Sequence, residues 1–362
     1  MNIKLMERPR AALPAPAEGV HQSGQATFAQ EHPQASQAAG RQGIVNTMDT
    51  QEILVIAEAI VQQAEGVIAL DLVAQDGSPL PAWTPGAHID LIFDEQFERH
   101  YSLCGDPSER RRWRVGVLRE PAGRGGSEWL HERLQVGDVL RARAPRNHFA
   151  LEPAESYVLV AGGIGITPLL PMIRELNRRG TDWRLLYGGR KRASMGFLPE
   201  LEAYGERVSI SPEDEFGVLD LKTWIGDPQP GVGVYCCGPE RLLDAVELQC
   251  AGWPDGALHI ERFRPRSGAL EGVAGSFELV LLSTGKSCIV GPNETIIDAI
   301  DRLGLHVPRS CGEGTCGTCI TAVVEGIPDH RDSFLMGKKR AANKTICVCC
   351  SRALTPRLVL DL

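Results

Sequence analysis

Three cysteines near the end of the chain, Cys311, Cys316 and Cys319, stand in the spacing C-x4-C-x2-C, with Gly312, Gly314 and Gly317 between them. Thiolates are soft ligands that suit iron–sulfur clusters. This spacing lets one loop wrap a [2Fe–2S] cluster of the plant type, and the glycines let backbone N–H groups approach the sulfurs. A fourth thiolate is required, and Cys347, Cys349 and Cys350 offer it. A zinc knuckle would pair two C-x2-C units, whereas here one such unit is followed by an isolated group of cysteines.

Other stretches could bind phosphates. Arg99-His100-Tyr101-Ser102-Leu103 closes a strand-like run. Gly123-Arg124-Gly125-Gly126-Ser127 leads into a helical pattern over 128–134. Such a glycine turn with a serine at a helix start either receives a phosphate or caps the helix. Gly162-Gly163-Ile164-Gly165-Ile166-Thr167-Pro168 follows an apolar strand (157–161) and precedes a helix over 169–179, with Pro168 in its first turn and Gly180 as its stop. Strand, glycine turn and helix open a nucleotide domain, although the third glycine of G-x-G-x-x-G is missing. Cys237-Gly238-Pro239 ends another apolar strand (232–237) in the same way. After a strand over 184–187, Arg190, Lys191 and Arg192 replace the acidic residue that would hold a ribose 2′-OH, and guanidinium groups suit a 2′-phosphate. None of the nine histidines is required by this chemistry, so each is read as a surface or packing residue.

The elements that must position these residues follow from the rest of the chain. With 362 residues there is room for two or three domains. A net charge of -8 argues against a nucleic-acid binder. No apolar run reaches membrane-spanning length, and no secretory signal opens the chain. The cysteines number 11, seven of them from Cys288 to Cys350. An odd count without an export signal points to a reducing, cytoplasmic compartment and a metal centre, not a disulfide framework. Residues 1–47 read as a disordered leader, or as the product of a start codon placed too early, since Met48 opens the first regular pattern. Over 48–153, short strands (53–56, 67–72, 89–93, 113–118) alternate with turn signals such as Asp76-Gly77 and Thr84-Pro85-Gly86, which predicts an antiparallel β-barrel. Over 154–265, alternating strands and helices predict a doubly wound α/β domain with ligands at the carboxyl ends of its strands. Residues 266–275 read as a linker. The order strand, turn, strand, helix, cluster loop over 276–362 predicts a small β-grasp domain. The expected fold class is therefore multidomain.

Taken in this order, the motifs resemble the phthalate dioxygenase reductase family over essentially all of 48–362. The resemblance implies an FMN-binding barrel, an NAD(P)-binding α/β domain and a C-terminal plant-type ferredoxin. It implies that Arg99 pairs with the flavin phosphate while Tyr101 and Ser102, flanking His100 in the motif, line the isoalloxazine. Gly125, Gly126 and Ser127 resemble the second phosphate contact. Gly162, Gly163, Gly165, Thr167 and Pro168, with Cys237, Gly238 and Pro239, resemble the two nicotinamide-nucleotide turns. Glu261-Arg262-Phe263 is similar to the end of the reductase module, where an aromatic ring covers the flavin, so Ser102, Cys237 and Phe263 should lie near flavin and nicotinamide. Asp329-His330-Arg331-Asp332 matches a stretch after the cluster loop. The family ending C-x-S-R-A, matched by Cys349-Cys350-Ser351-Arg352-Ala353, places the fourth ligand at Cys349.

The implied function is passage of electrons from NADH through FMN to a [2Fe–2S] cluster and on to a separate Rieske-type oxygenase acting on an aromatic or similar small substrate. A nicotinamide delivers two electrons as hydride, a cluster accepts one, and a flavin can divide the pair. NADPH use supported by Arg190 or Arg192 is expected beside NADH. The competing readings are an FAD-type reductase serving another monooxygenase and a redox-sensing iron–sulfur flavoprotein. A self-contained Rieske oxygenase would need Cys-x-His units, and none occurs.

Overall fold

The computed structural model describes residues 52–272 and 275–362, so the expected leader, 1–47, lies outside the described residues. The first sheet is built from β1 (Glu52–Ala64), β2 (Val67–Ala74), β3 (His88–Phe93), β4 (Phe97–Ser102), β5 (Arg112–Leu118) and, after helix α1 (Gly126–Glu132), β6 (Val139–Arg143). Its order is β4-β3-β6-β1-β2-β5, with antiparallel pairing throughout. Val55, Leu70, Leu72, Ile89, Leu91, Trp113 and Val115 fill its core. The β1 strand is much longer than the expected 53–56, because its second half pairs with β2 while showing mostly polar or half-exposed side chains. Register shifts after Ala57 and Gln62 bend it. β6 carries arginines at alternate positions, Arg141 and Arg143, which hide its strand character. α1 starts two residues before the expected 128, with Gly125 at φ 78° as its N-cap.

The second sheet alternates with helices: β7 (Ser156–Gly162), α2 (Leu169–Arg179), β8 (Asp182–Gly189), α3 (Leu198–Glu202), β9 (Val208–Pro212), α4 (Glu213–Phe216), α5 (Leu221–Ile225), β10 (Val232–Cys237), α6 (Glu240–Gln249) and β11 (Leu258–Glu261). The order β11-β10-β7-β8-β9 is parallel throughout. Leu159 and Ala161 pack with Leu169, Met172 and Ile173 of α2. Val158 and Val160 pack with Leu243 and Val246 of α6 on the other face. Burial on both faces explains the unbroken apolar run. The strand order reverses at β7, which sets the turns after β7 and β10 side by side. Gly180 at φ 67° caps α2 as expected, while Pro168 is its N-cap and not part of its first turn.

The third sheet contains β12 (Phe277–Leu281), β13 (Lys286–Val290), β14 (Ile320–Glu325), β16 (Thr345–Cys347) and β18 (Arg357–Leu360), in the order β13-β12-β18-β14-β16. β12 and β18 run parallel, and the other neighbours are antiparallel. The short β15 (Pro328–Asp329) pairs with β17 (Arg352–Ala353), and helices α7 (Ile296–Arg302) and α8 (Gly337–Ala341) complete this part. α7 lays Ile296, Ile297 and Ile300 on Leu279, Leu281 and Leu358. No helix among the described residues is long and apolar enough to cross a membrane.

The start of α7 is fixed by a capping box. The Asp298 N–H donates to Thr295 Oγ1 at 3.2 Å, and the Thr295 N–H donates to Asp298 Oδ2 at 3.4 Å. We expect Thr295→Ala to lower stability by about 1 kcal/mol while Thr295→Ser stays near the parent. Thermal unfolding followed at the cluster-loop end of the molecule checks this, and equal midpoints for all three proteins would refute it.

Candidate cofactor site

The loop between α7 and β14 gathers the cysteines. The Cys311 thiol lies within hydrogen-bonding reach of the Cys316 and Cys349 thiols. The Cys319 thiol reaches those of Cys347 and Cys349. Cys349 alone of the three late cysteines adjoins both Cys311 and Cys319. Proton sharing between these thiols holds Cys311 and Cys319 below the ordinary thiol range and pushes Cys316, Cys347 and Cys349 above it. The backbone N–H groups of Glu313 and Thr315 each donate to Cys311 Sγ at 3.4 Å. Soft sulfur donors with N–H groups aimed at them are the donor set of an iron–sulfur cluster.

Glycines make the loop's shape possible. Gly314 and Gly317 have φ of 71° and 75°, and an added Cβ would lie 2.4 Å from Cys350 Sγ or 2.6 Å from the Phe334 ring. The outer wall of the loop is organised by Asp332, which is buried. Its Oδ2 accepts from the N–H groups of Phe334 and Leu335 at 3.2 and 2.7 Å, and its Oδ1 accepts from the Ser351 hydroxyl at 3.3 Å. The Ser333 N–H then donates to Gly314 O at 3.0 Å.

A cleft of about 550 Å³, counting its open mouth, joins this loop to the two other sheets. Its lining comprises His88, His100, Ser102, His148 and Phe149, then Ile260, Glu261, Arg262 and Phe263, and finally Thr315, Cys316 and Phe334. Strand alternation explains part of the lining. His100 and Ser102 point from β4 into the cleft, while Arg99 turns towards Gly126. Phe263 is 42% exposed at the rim. Ser102 Oγ, Glu261 Oε2 and His88 Nε2 are enclosed without a hydrogen-bond partner. Buried polar atoms normally have one, so these three are available to a polar, flat ligand.

Burial sets the charge states here. Glu261 is half-buried as a residue but its Oε2 is enclosed, and burial pushes its carboxyl up to about 8. The Ser102 hydroxyl beside it eases this slightly, at a geometry short of a full hydrogen bond. Cys237 pairs in register with Glu261 and is fully buried, so its thiol is pushed well up, by burial first and by Glu261 second. Burial holds His88 down to about 3, so it is neutral. Burial likewise pushes the Tyr101 hydroxyl up.

The glycine turns nest against each other. A Cβ on Gly165 would lie 2.2 Å from Cys237 O, and one on Gly162 would lie 2.6 Å from the Pro239 ring. A Cβ on Gly238 would lie 3.0 Å from the Gly162 backbone, so bare backbone is left at the strand ends. Gly163 adopts φ 53°, and the Thr167 hydroxyl donates to Ile164 O at 2.9 Å. Arg99 donates to Glu98 O and Arg124 O, each at 2.9 Å, which ties it to the loop carrying Gly125, Gly126 and Ser127. Ser127 Oγ accepts from the Glu120 N–H at 3.1 Å and keeps its own proton to donate.

Arg192 pairs with Glu215 through two bonds, at 2.9 and 2.7 Å, on the exposed face of this loop. Acidic α4 packs against this basic loop, with the Asp214 N–H donating to Arg190 O at 3.2 Å. His88, His100 and His148 line the cleft from the first sheet and the segment after it, the rings of His100 and His148 lying 5.8 and 6.2 Å from that of His88. His100 stands in the Arg99–Leu103 motif, whereas no spacing in the sequence marks His88 or His148. Glu261 was legible only as part of a motif, and its enclosure comes from its place beside Cys237.

The raised carboxyl of Glu261 has a signed consequence for stability. In the unfolded chain it ionises near pH 4.3, and in the folded protein near 8. Between those values the unfolded state holds fewer protons, so this group makes stability fall as pH rises. We expect Glu261→Gln to remove that decline, the variant gaining on the parent from pH 5 to pH 8. Unfolding midpoints across that range, parallel for both proteins, would contradict it.

A family model described as a 2Fe-2S iron-sulfur cluster binding domain matches residues 281–354. The chain is 42% identical over 306 residues to the phenoxybenzoate dioxygenase subunit beta of Ectopseudomonas oleovorans, covering 84% of this chain and 95% of that one. The solved phthalate dioxygenase reductase is 34% identical with a TM-score of 0.63, over 86% of this chain and 98% of that one. An intact type IV self-sufficient cytochrome P450 monooxygenase is 41% identical with a TM-score of 0.78. The match covers 86% of this chain but 41% of that longer protein.

Proposed function

The chain belongs to the phthalate dioxygenase reductase family, and on that footing we propose how its parts carry electrons from a nicotinamide to a partner oxygenase. It is an oxidoreductase with an antiparallel sheet, a parallel α/β sheet and a C-terminal [2Fe–2S] domain. In our reading, 48–153 closes as an FMN-binding barrel, 154–265 takes NADH, 266–275 links, and 276–362 is a β-grasp ferredoxin, all working in the cytoplasm. Cys311, Cys316, Cys319 and Cys349 hold the cluster, a set supported by the contacts of Cys349 with both Cys311 and Cys319. Arg99 with Gly125, Gly126 and Ser127 would hold the FMN phosphate, while His100, Tyr101, Ser102 and Phe263 surround its ring. Gly162, Gly163, Gly165, Thr167 and Pro168 with Cys237, Gly238 and Pro239 would receive the dinucleotide.

The observation that carries this reading is the shared cleft: Cys316 lines the same space as Ser102, Glu261 and Phe263. When bound, the flavin supplies hydride acceptance and passes electrons on one at a time. The chain's own residues prepare the place. Glu261 keeps its proton at neutral pH, so no carboxylate charge opposes an electron-rich ring. Neutral Cys237 and Ser102 present small polar groups beside it without bringing water. Phe263 at the rim can shield the ring until a nicotinamide displaces it.

The partner is an oxygenase, and we infer the Rieske type acting on an aromatic substrate. A second reading, a cytochrome P450 partner, is favoured by the resemblance to the self-sufficient P450 monooxygenase. Substrate turnover with a purified Rieske oxygenase and with a P450, each supplied with this protein and NADH, decides between them. Turnover with the P450 alone would overturn the first.

Two outcomes follow. Serine at Cys311, Cys316, Cys319 or Cys349 should each prevent normal cluster assembly while NADH-to-dye activity survives, because the flavin sheet has its own core. An unaltered cluster spectrum in Cys349→Ser would move that ligand to Cys347 or Cys350. For the nucleotide, NADH should be preferred, with residual NADPH use lowered by Arg190→Ala. Glu215→Gln should release Arg192 and raise kcat/KM for NADPH severalfold. A native preference for NADPH above about tenfold would reverse the donor assignment.

A further inference from the structure

The cluster loop is fastened to the first sheet at a half-buried point one residue before Cys311. The Ser310 hydroxyl donates to Asp90 Oδ1 at 3.1 Å, accepts from Arg146 Nη2 at 2.7 Å, and lies 2.9 Å from His100 Nε2. With the His100 proton on Nε2, these three bonds use the whole capacity of one hydroxyl. Asp90 is 0% exposed in β3. Its Oδ2 also meets Arg146, and Arg143 at 3.5 Å. Oxygens of Asp90 and Glu98 and a nitrogen of His100 lie within 4.8 Å of one another, as around a cation. Arg143 and Arg146 already neutralise those carboxylates, so this is an ion-pair network and not a metal site.

A second tie exists on the same loop. Arg124 and Glu313 pair at 2.9 Å, but their side chains are 63% and 31% exposed. A pair so wet contributes little and is screened by salt. The network at Ser310 differs in kind, because it centres on the fully buried Asp90 and a bond to such a group is costly to leave unmade, although Arg146 Nε itself is enclosed without a partner. The two ties therefore form a built-in comparison on one loop.

We propose that Ser310 is a positioning residue that locks the cluster loop onto the Asp90–Arg146–His100 network and so sets the separation between cluster and cleft. This rests on the reading that Cys311 is a cluster ligand and that the cleft holds the flavin. Electron tunnelling falls steeply with distance, so a small loss of registry slows transfer from flavin to cluster. Hydride arrival should be untouched, because the nucleotide turns belong to the second sheet.

The test uses the holoprotein and the variants Ser310→Ala, Ser310→Thr, Glu313→Gln and Arg146→Lys. Iron content and NADH-to-dye activity are measured first on each preparation. In Ser310→Ala, rapid mixing with NADH should show flavin reduction at the parent rate and cluster reduction slowed several-fold, as the added separation weakens tunnelling. Hydrogen exchange at the amides of 311–316 should rise by about the same factor, reporting a loosened loop independently of turnover. Ser310→Thr, which keeps the hydroxyl, should restore both, and Glu313→Gln should change neither. If Ser310→Ala does not hold iron, Arg146→Lys carries the test, since it shortens the reach to Ser310 without altering the loop. Parent-like cluster reduction and exchange in iron-replete variants would overturn the lock. A parent protein lacking iron or flavin would instead overturn the reading beneath it.

Discussion

Close backbone approach is the constraint on which this molecule depends. At Gly165, Gly162, Gly314 and Gly317 the space that a Cβ would need is already held by Cys237 O, Pro239, Cys350 Sγ or Phe334. The first two let the turns after two neighbouring parallel strands nest with bare backbone at the strand ends. The second two let a loop fold tightly enough for four thiols to converge. Side chains supply the chemistry in both places, but only after the missing side chains have made room. Substitution at any of these positions would act on geometry before it touched charge.

A second theme is the suppression of charge. The cleft brings together a carboxyl and three imidazoles, yet burial keeps Glu261 protonated and His88 neutral, and Cys237, in register with Glu261, stays a thiol. Charge is compensated where it does occur: Asp90 with Arg143 and Arg146, and Arg262 with Asp244 and Glu247. These ion pairs hold the walls of the cleft still.

Much of this was legible in the sequence, and what was not has physical causes. The strands of the parallel sheet announced themselves because burial on both faces leaves no polar positions, and the 169–179 and 232–237 elements appear where expected. The cysteine loop was legible because ligand spacing is a local property. β6 was hidden because its exposed positions carry arginines, and the second half of β1 because its partner strand, not its own side chains, holds it in place. The pairing of Arg192 with Glu215 and the packing of His148 against His88 join residues distant in sequence, and no periodicity encodes them. Ser310 is the plainest case. Beside Cys311 it looks like loop filler, and its partners lie more than two hundred residues upstream for Asp90 and His100.

The place of β18 in its sheet has a consequence for biosynthesis. Residues 357–360 lie between β12 and β14, so the third sheet lacks its central strand until they have left the ribosome. All of the cysteines from Cys311 to Cys350 emerge earlier. With synthesis running at about 5–20 residues per second, those thiols spend a short interval in a chain that cannot yet enclose them. Until the last strand arrives, the late thiols have no closed sheet behind them, and only then can the loop reach its folded shape.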